Sequence, residues 1–185
     1  DIGGGFSGHM DSCLKKQFSW DIPTYNQYAS EIANLIKHNY KDIPNEKKPM
    51  LFLEPGTAIV SDTMHFVTKV LEIKSIRDTK FAMCSGTKFN LSLLSSSINL
   101  PINVYSKLTN EGSLSNYHIT GYTCIEKDYL YKNYKGILHK NDYLVFDNVG
   151  SYSIVFKPPF ILPNVPIIEY NSQLKWECLK KQETF

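Results

Sequence analysis

Three consecutive glycines, Gly3, Gly4 and Gly5, stand first among the residues able to do chemistry. Bare backbone can take positive φ, so successive N–H groups can converge on an anion such as phosphate. The same string also suits a flexible linker. Glu54 follows the apolar run Met50-Leu51-Phe52-Leu53 and opens Glu54-Pro55-Gly56. A carboxylate at a strand end can pair with a protonated ring nitrogen and hold a cofactor in its electron-withdrawing form, or it can cap the next helix. Cys124 lies in Gly121-Tyr122-Thr123-Cys124-Ile125-Glu126-Lys127-Asp128. Its thiol could give a proton, and Glu126 and Asp128 could bind an ammonium group; the alternative is a half-buried sheet cysteine. Tyr152, after the Gly150-Ser151 turn, could donate to a phosphate oxygen or simply pack its ring.

Other chemistries lack their residues. His9, His38, His65, His118 and His139 have no ligand spacing and read as structural or solvated, and the four cysteines form no C-x-x-C pair, so no metal is expected. No Walker or G-x-S-x-G sequence occurs. The formal net charge is +2 with lysines and acids interspersed, which argues against a nucleic-acid surface. No apolar run approaches the ~18 residues of a membrane span. The start at Asp1 has no signal-peptide character, so reduced thiols in the cytoplasm are expected.

These residues need elements to position them. Tyr25, Tyr28, Ile32, Leu35 and Ile36 recur at helical spacing behind Pro23 and predict a helix. Residues 50–53 predict a strand buried on both faces, and residues 58–64 a short helix. This loop–helix–strand rhythm is that of an α/β barrel. From His65 the period becomes two, with Phe66, Thr68, Val70 and Glu72 on one face. Further strands are predicted at 80–83, 102–105, 118–122, 143–146, 152–156 and 166–170. Turns are predicted at Asn110-Glu111-Gly112, Lys140-Asn141-Asp142, Asn148-Val149-Gly150 and Lys157-Pro158-Pro159. Many short strands with polar turns predict an antiparallel sheet or barrel.

The order of these motifs resembles a known family. Asp1-Ile2-Gly3-Gly4-Gly5-Phe6 is similar to the phosphate loop of fold-type III pyridoxal-phosphate decarboxylases, the ornithine/diaminopimelate decarboxylase group. Glu54-Pro55-Gly56 resembles that group's E-P-G-R, Gly121-x-x-Cys124 its G-P-x-C, and residues 142–152 its G-D-x-L-V-F … G-A-Y. The resemblance implies an α+β fold: residues 1–63 as the terminal segment of a (β/α)8 alanine-racemase-like barrel, and residues 64–185 as an antiparallel C-terminal β-domain.

It also implies roles. Gly3, Gly4, Gly5, Gly56 and Tyr152 would hold the phosphate of pyridoxal 5'-phosphate, and Glu54 its ring nitrogen. Cys124 would be the catalytic acid, with Glu126 and Asp128 binding substrate at the shared active site of a homodimer. The activity implied is a carboxy-lyase acting on a basic or diamino acid. The family's cofactor-binding lysine lies upstream of the glycine loop, so this stretch by itself is expected to be inactive. Three departures stand out. Thr57 replaces the usual arginine; Tyr122 replaces a proline and Ile125 displaces the acid that follows the cysteine; and the segment Met83 to Leu94 lacks the arginine that diaminopimelate decarboxylases use for the distal carboxylate. Thr57 leaves room for a second reading, a non-catalytic homologue acting as a binding or regulatory protein.

Overall fold

A computed structural model of the chain describes residues 1–91, 98–108, 113–171, 173 and 175–185. Three helices precede the strands: α1 (Ser12–Lys15), α2 (Tyr25–Asn39) and α3 (Gly56–Val60). Asp11 caps α1, its Oδ1 accepting the Leu14 N–H at 2.7 Å. Thr24 and Gln27 form a capping box on α2, which satisfies two N–H groups that a helix start leaves without partners. Along α2, Tyr28, Ile32 and Ile36 are half-buried while Tyr25 and Leu35 are exposed, and no residue of this helix is fully buried.

Among the described residues eight strands follow: β1 (Phe66–Ile76), β2 (Thr79–Cys84), β3 (Ile102–Tyr105), β4 (Ser115–Thr120), β5 (Tyr129–Gly136), β6 (Tyr143–Phe146), β7 (Ile167–Tyr170) and β8 (Trp176–Lys180). Six form one sheet in the order β3-β6-β1-β2-β4-β5, and β7 pairs with β8 separately. The period-two pattern of β1 holds at its start, where Phe66, Thr68 and Val70 are buried and Val67 faces solvent. A register shift between Val70 and Glu72 then turns the strand, and Ile73 packs against the core. That core contains Val70, Ala82, Cys84, Ile119, Leu144 and Phe146, all fully buried. Met10 and Leu14 join it from the N-terminal segment.

Four expectations are corrected. Residues 50–53 form no strand, and all four side chains are exposed. One backbone hydrogen bond, from the Ile2 N–H to the Phe52 carbonyl, is their only sheet-like pairing among the described residues. Residues 152–156 form turns instead of a strand. Tyr152 has φ +64°, and the Phe156 N–H donates back to the Tyr152 carbonyl at 3.0 Å. The large sheet is mixed, because β2 pairs with β4 in parallel. Finally, β5 and β8 arise where no strand is predicted; β8 exposes every side chain, so burial leaves no periodic mark on it. The predicted turn at residues 110–112 lies outside the described residues.

Candidate functional site

The glycine loop and the Glu54 motif lie side by side. The Ile2 N–H donates to the Phe52 carbonyl at 3.2 Å, and the Glu54 N–H to the Gly3 carbonyl at 2.8 Å. Each glycine has its own reason. Gly3 and Gly5 have φ of +69° and +84°, where side chains are strained. A Cβ on either would meet nothing within 4 Å, so this side of the loop is open. Gly4 is needed for close approach, since a Cβ there would stand 2.4 Å from the Glu54 carbonyl oxygen. Asp1 steadies the loop by accepting the Gly3 N–H at 2.8 Å. The Gly56 N–H donates to the Glu54 carbonyl at 2.9 Å, and the space beside Gly56 is open as well. The Glu54 side chain is exposed.

Helix α3 ties a second loop to this group. The Gly150 N–H donates to the Ser61 carbonyl at 2.9 Å, and the Val149 N–H to the Met64 carbonyl at 3.3 Å. The fit is tight, because a Cβ on Gly150 would fall 1.7 Å from the Val60 carbonyl oxygen. Asn148 adds a hydrogen bond from Nδ2 to the His9 carbonyl at 2.9 Å. Tyr152 rides on this loop, half in solvent, with its ring edge-on to Phe156. Thr57, half-buried on α3, accepts the Ser61 N–H through its carbonyl.

Cys124, Glu126 and Asp128 occupy a different loop, between β4 and β5. Cys124 and Glu126 are exposed. Asp128 is buried, and its carboxylate is fully engaged by its own chain. Oδ1 accepts the Thr87 hydroxyl and the Lys88 N–H, both at 2.8 Å. Oδ2 accepts the Thr123 hydroxyl at 2.6 Å and the Thr123 N–H at 3.2 Å. Gly121 leaves the space this carboxylate fills, since a Cβ there would sit 2.1 Å from Oδ2. Asp128 therefore shapes the turn that presents Cys124. No hydrogen bond among the described residues links this loop to the glycine loop.

Two features were not legible in the sequence. His65 pairs through Nδ1 with Asp147 Oδ1 at 2.6 Å, and Asn103 donates to Asp147 Oδ2 at 3.1 Å. Lys157, visible in the sequence only as part of a Lys-Pro-Pro turn, is buried. Folding brings these residues their neighbours across long stretches of chain, so no local pattern announces them. No group of three or more His, Cys, Asp or Glu among the described residues could hold a metal ion. No described helix is long and apolar enough to cross a membrane.

Solved structures share this architecture. A diaminopimelate decarboxylase from Helicobacter pylori, complexed with L-lysine, superposes with a TM-score of 0.75 at 19% identity, over 99% of this chain and 41% of that one. A diaminopimelate decarboxylase from M. jannaschi gives 0.76 at 21% identity, over 99% and 40%. The arginine decarboxylase of Paramecium bursaria Chlorella virus gives 0.64 at 16% identity, over 86% and 40%. At these identities the likeness is one of fold, and the chain spans about two fifths of the length of these relatives. No curated protein sequence matches the chain significantly. The family described as pyridoxal-dependent decarboxylase, C-terminal sheet domain, matches residues 12–150. With three quarters of its length matched in this way, and the α+β sheet fold to go with it, the chain belongs to the pyridoxal-dependent decarboxylase family.

Proposed function

We propose that the chain is the C-terminal portion of a pyridoxal-phosphate-dependent decarboxylase that removes the α-carboxylate of a basic or diamino acid. The observation that carries this reading is the pairing of the glycine loop with the Glu54 motif, by the 2.8 Å bond from Glu54 N–H to the Gly3 carbonyl. The residues fit the cofactor's phosphate end. Gly3, Gly5 and Gly56 leave open space where side chains would otherwise stand, and an anion can approach the loop backbone there. In this assignment residues 1–63 complete a (β/α)8 barrel and residues 64–185 form the β-domain, with Met10 and Leu14 fastening one to the other.

Pyridoxal phosphate, when bound, supplies the sink for the electron pair left as CO2 departs. The Gly4 and Gly5 amides and the Tyr152 hydroxyl would donate to the phosphate oxygens of the bound cofactor. The Glu54 carboxylate would keep the ring nitrogen of the bound cofactor protonated, which would strengthen the sink. The Cys124 Sγ–H gives a proton to the substrate α-carbon, from a loop that reaches the site of a second copy in a homodimer. Glu126 attracts the substrate's distal ammonium group, while Asp128 contributes through the loop it holds in shape. Ile125 supplies no charge beside the thiol, so substrate selection rests on Glu126. L-lysine in the Helicobacter relative and agmatine in a viral arginine decarboxylase structure favour an amine-bearing substrate class. The four free thiols suit a cytoplasmic setting.

The test uses the intact protein, including the upstream segment that would carry the cofactor lysine. An absorbance band near ~420 nm on adding pyridoxal phosphate, fixed by borohydride, supports the reading. CO2 release from lysine-, ornithine- or diaminopimelate-like acids then identifies the substrate. Absence of the band would overturn the enzyme reading in favour of a non-catalytic homologue that binds a partner. Thr57, next to Gly56 on α3 and in the position of the usual arginine, is the observation that favours that second reading.

A further inference from the structure

The loop that carries Tyr152 is fastened mainly to the sheet and to the end of α3. Asp147 pairs with His65 and accepts from Asn103, and the Val149 and Gly150 N–H groups donate to the Met64 and Ser61 carbonyls. One bond runs elsewhere. Asn148 Nδ2 donates to the His9 carbonyl at 2.9 Å. Among the described residues it is the only hydrogen bond between residues 147–153 and residues 1–22. His9 ends the short segment that leads out of the glycine loop, and that segment is held along its length. Phe6 lies edge-on to Tyr28, with ring centroids 5.2 Å apart. The Tyr28 hydroxyl reaches Ser7 Oγ at 3.5 Å. Gly8 presses on α3, since a Cβ there would stand 2.1 Å from Ser61 Oγ. Ser61 is thus met by Gly8 on its side chain and by Gly150 on its carbonyl, and the Asn148 bond joins those two segments directly.

Few side chains suit position 148. Its φ is +58°, in the left-handed region where asparagine is favoured among residues that have a side chain. Its amide also supplies the N–H donor that a carbonyl needs, which an aspartate lacks. Tyr152 has φ +64°, and a bulky left-handed residue persists only where its surroundings hold it. We propose that Asn148 is a positioning residue for the cofactor: its bond to the His9 carbonyl sets the Tyr152 hydroxyl against the glycine loop. The role rests on the decarboxylase reading above, in which both sides of this junction grip one phosphate. Tyr152 touches that phosphate and Asn148 does not, so Asn148 acts through Tyr152. Without the bond the loop keeps its anchors on α3, but its distance from the glycine loop is no longer fixed.

The intact protein, including its upstream segment, is titrated with pyridoxal phosphate while the band near ~420 nm is followed. Asn148→Gly keeps the left-handed backbone and removes the donor, and Asn148→Asp keeps the outline and removes the donor. Each should weaken cofactor binding about tenfold, as much as Tyr152→Phe does, and neither should weaken it further in a Tyr152→Phe background. A merely structural role would add to the Tyr152→Phe loss. In folded Asn148→Gly the cofactor should still slow amide exchange at residues 3–5 and no longer at residues 150–153. Should both variants fail to fold, the wild type decides: cofactor binding should slow exchange of the Asn148 side-chain amide hydrogens, and unchanged exchange overturns the proposal. Wild-type affinity in a folded Asn148 variant or in Tyr152→Phe overturns it too, as do additive losses or continued protection of residues 150–153 in Asn148→Gly. Those outcomes leave the decarboxylase reading standing. Absence of the band from the wild type overturns that reading, and this role with it.

Discussion

Asp128 illustrates how a candidate residue can be fully used by its own fold. Four donors converge on its buried carboxylate. Asp128→Ala would leave them unpaired away from water, with an expected loss of about 3 kcal/mol in urea unfolding. The same change should speed amide exchange across residues 121–128, because the turn presenting Cys124 loses its anchor. Cys84 is a different case, a free thiol buried in the apolar core. Burial pushes its pKa from 9.0 up to about 12. The folded state therefore holds this proton longer than the unfolded chain does. Its contribution to stability is intact below pH 9 and declines as pH rises from there toward 12. Ellman's reagent at neutral pH should titrate Cys13, Cys124 and Cys178, which are exposed, and reach Cys84 only after unfolding. A Cys84→Ala control should flatten the alkaline loss.

Among the elements, α3 is the one on which the others converge. It has only five residues, yet Gly8, Gly150 and the Tyr25 hydroxyl all close on its backbone or on the turn that follows. Gly150→Ala would drive a methyl into the Val60 carbonyl. The expected cost is about 2–3 kcal/mol, and faster exchange at residues 148–153 would show the Tyr152 loop leaving α3. The C-terminal tail is fastened more lightly. The Glu183 carboxylate accepts from Asn164 and from Lys180, which holds its pKa below the ordinary 4.5. A depressed carboxylate stabilises above its unfolded pKa and loses that effect as pH falls through the folded value. Protection of the Glu183 amide, which donates to the Asn164 carbonyl at 3.0 Å, should fade as pH drops below 4.5. Glu183→Gln should remove that pH dependence.

At the scale of the whole molecule, burial is uneven. The six-stranded sheet has a closed core, whereas α2 buries no residue fully and Met50, Leu51, Phe52 and Leu53 face solvent. A groove of about 310 Å3, lined by Phe6, Tyr28, Ile32 and Leu53 among others, runs between α2 and α3. Exposed apolar surface of this extent binds hydrophobic dyes and drives association. The 185-residue chain by itself should therefore enhance dye fluorescence and self-associate in sedimentation. A double change of Phe52 and Leu35 to glutamate should reduce both. Amide exchange should be fast across residues 23–64 and slow in β1, β2 and β4, where the core lies.

The sequence by itself determined the helix over α2, most strands of the large sheet, and the motifs that mark the family. These depend on local periodicity and on short runs of fixed spacing, and β3 and β6 were legible to the residue. Only the tertiary structure decided that β2 and β4 run parallel, that residues 152–156 turn, and that residues 50–53 stay uncovered. It also decided that Asp128 is spent on its own loop, and that the glycine loop lies against Glu54 half a hundred residues away. Parallel pairing, burial and hydrogen-bond partnership are set by segments distant in the chain. A stretch of sequence records its preferred period, but not what will lie against it, which is why Lys157 read only as part of a turn and proved to be buried.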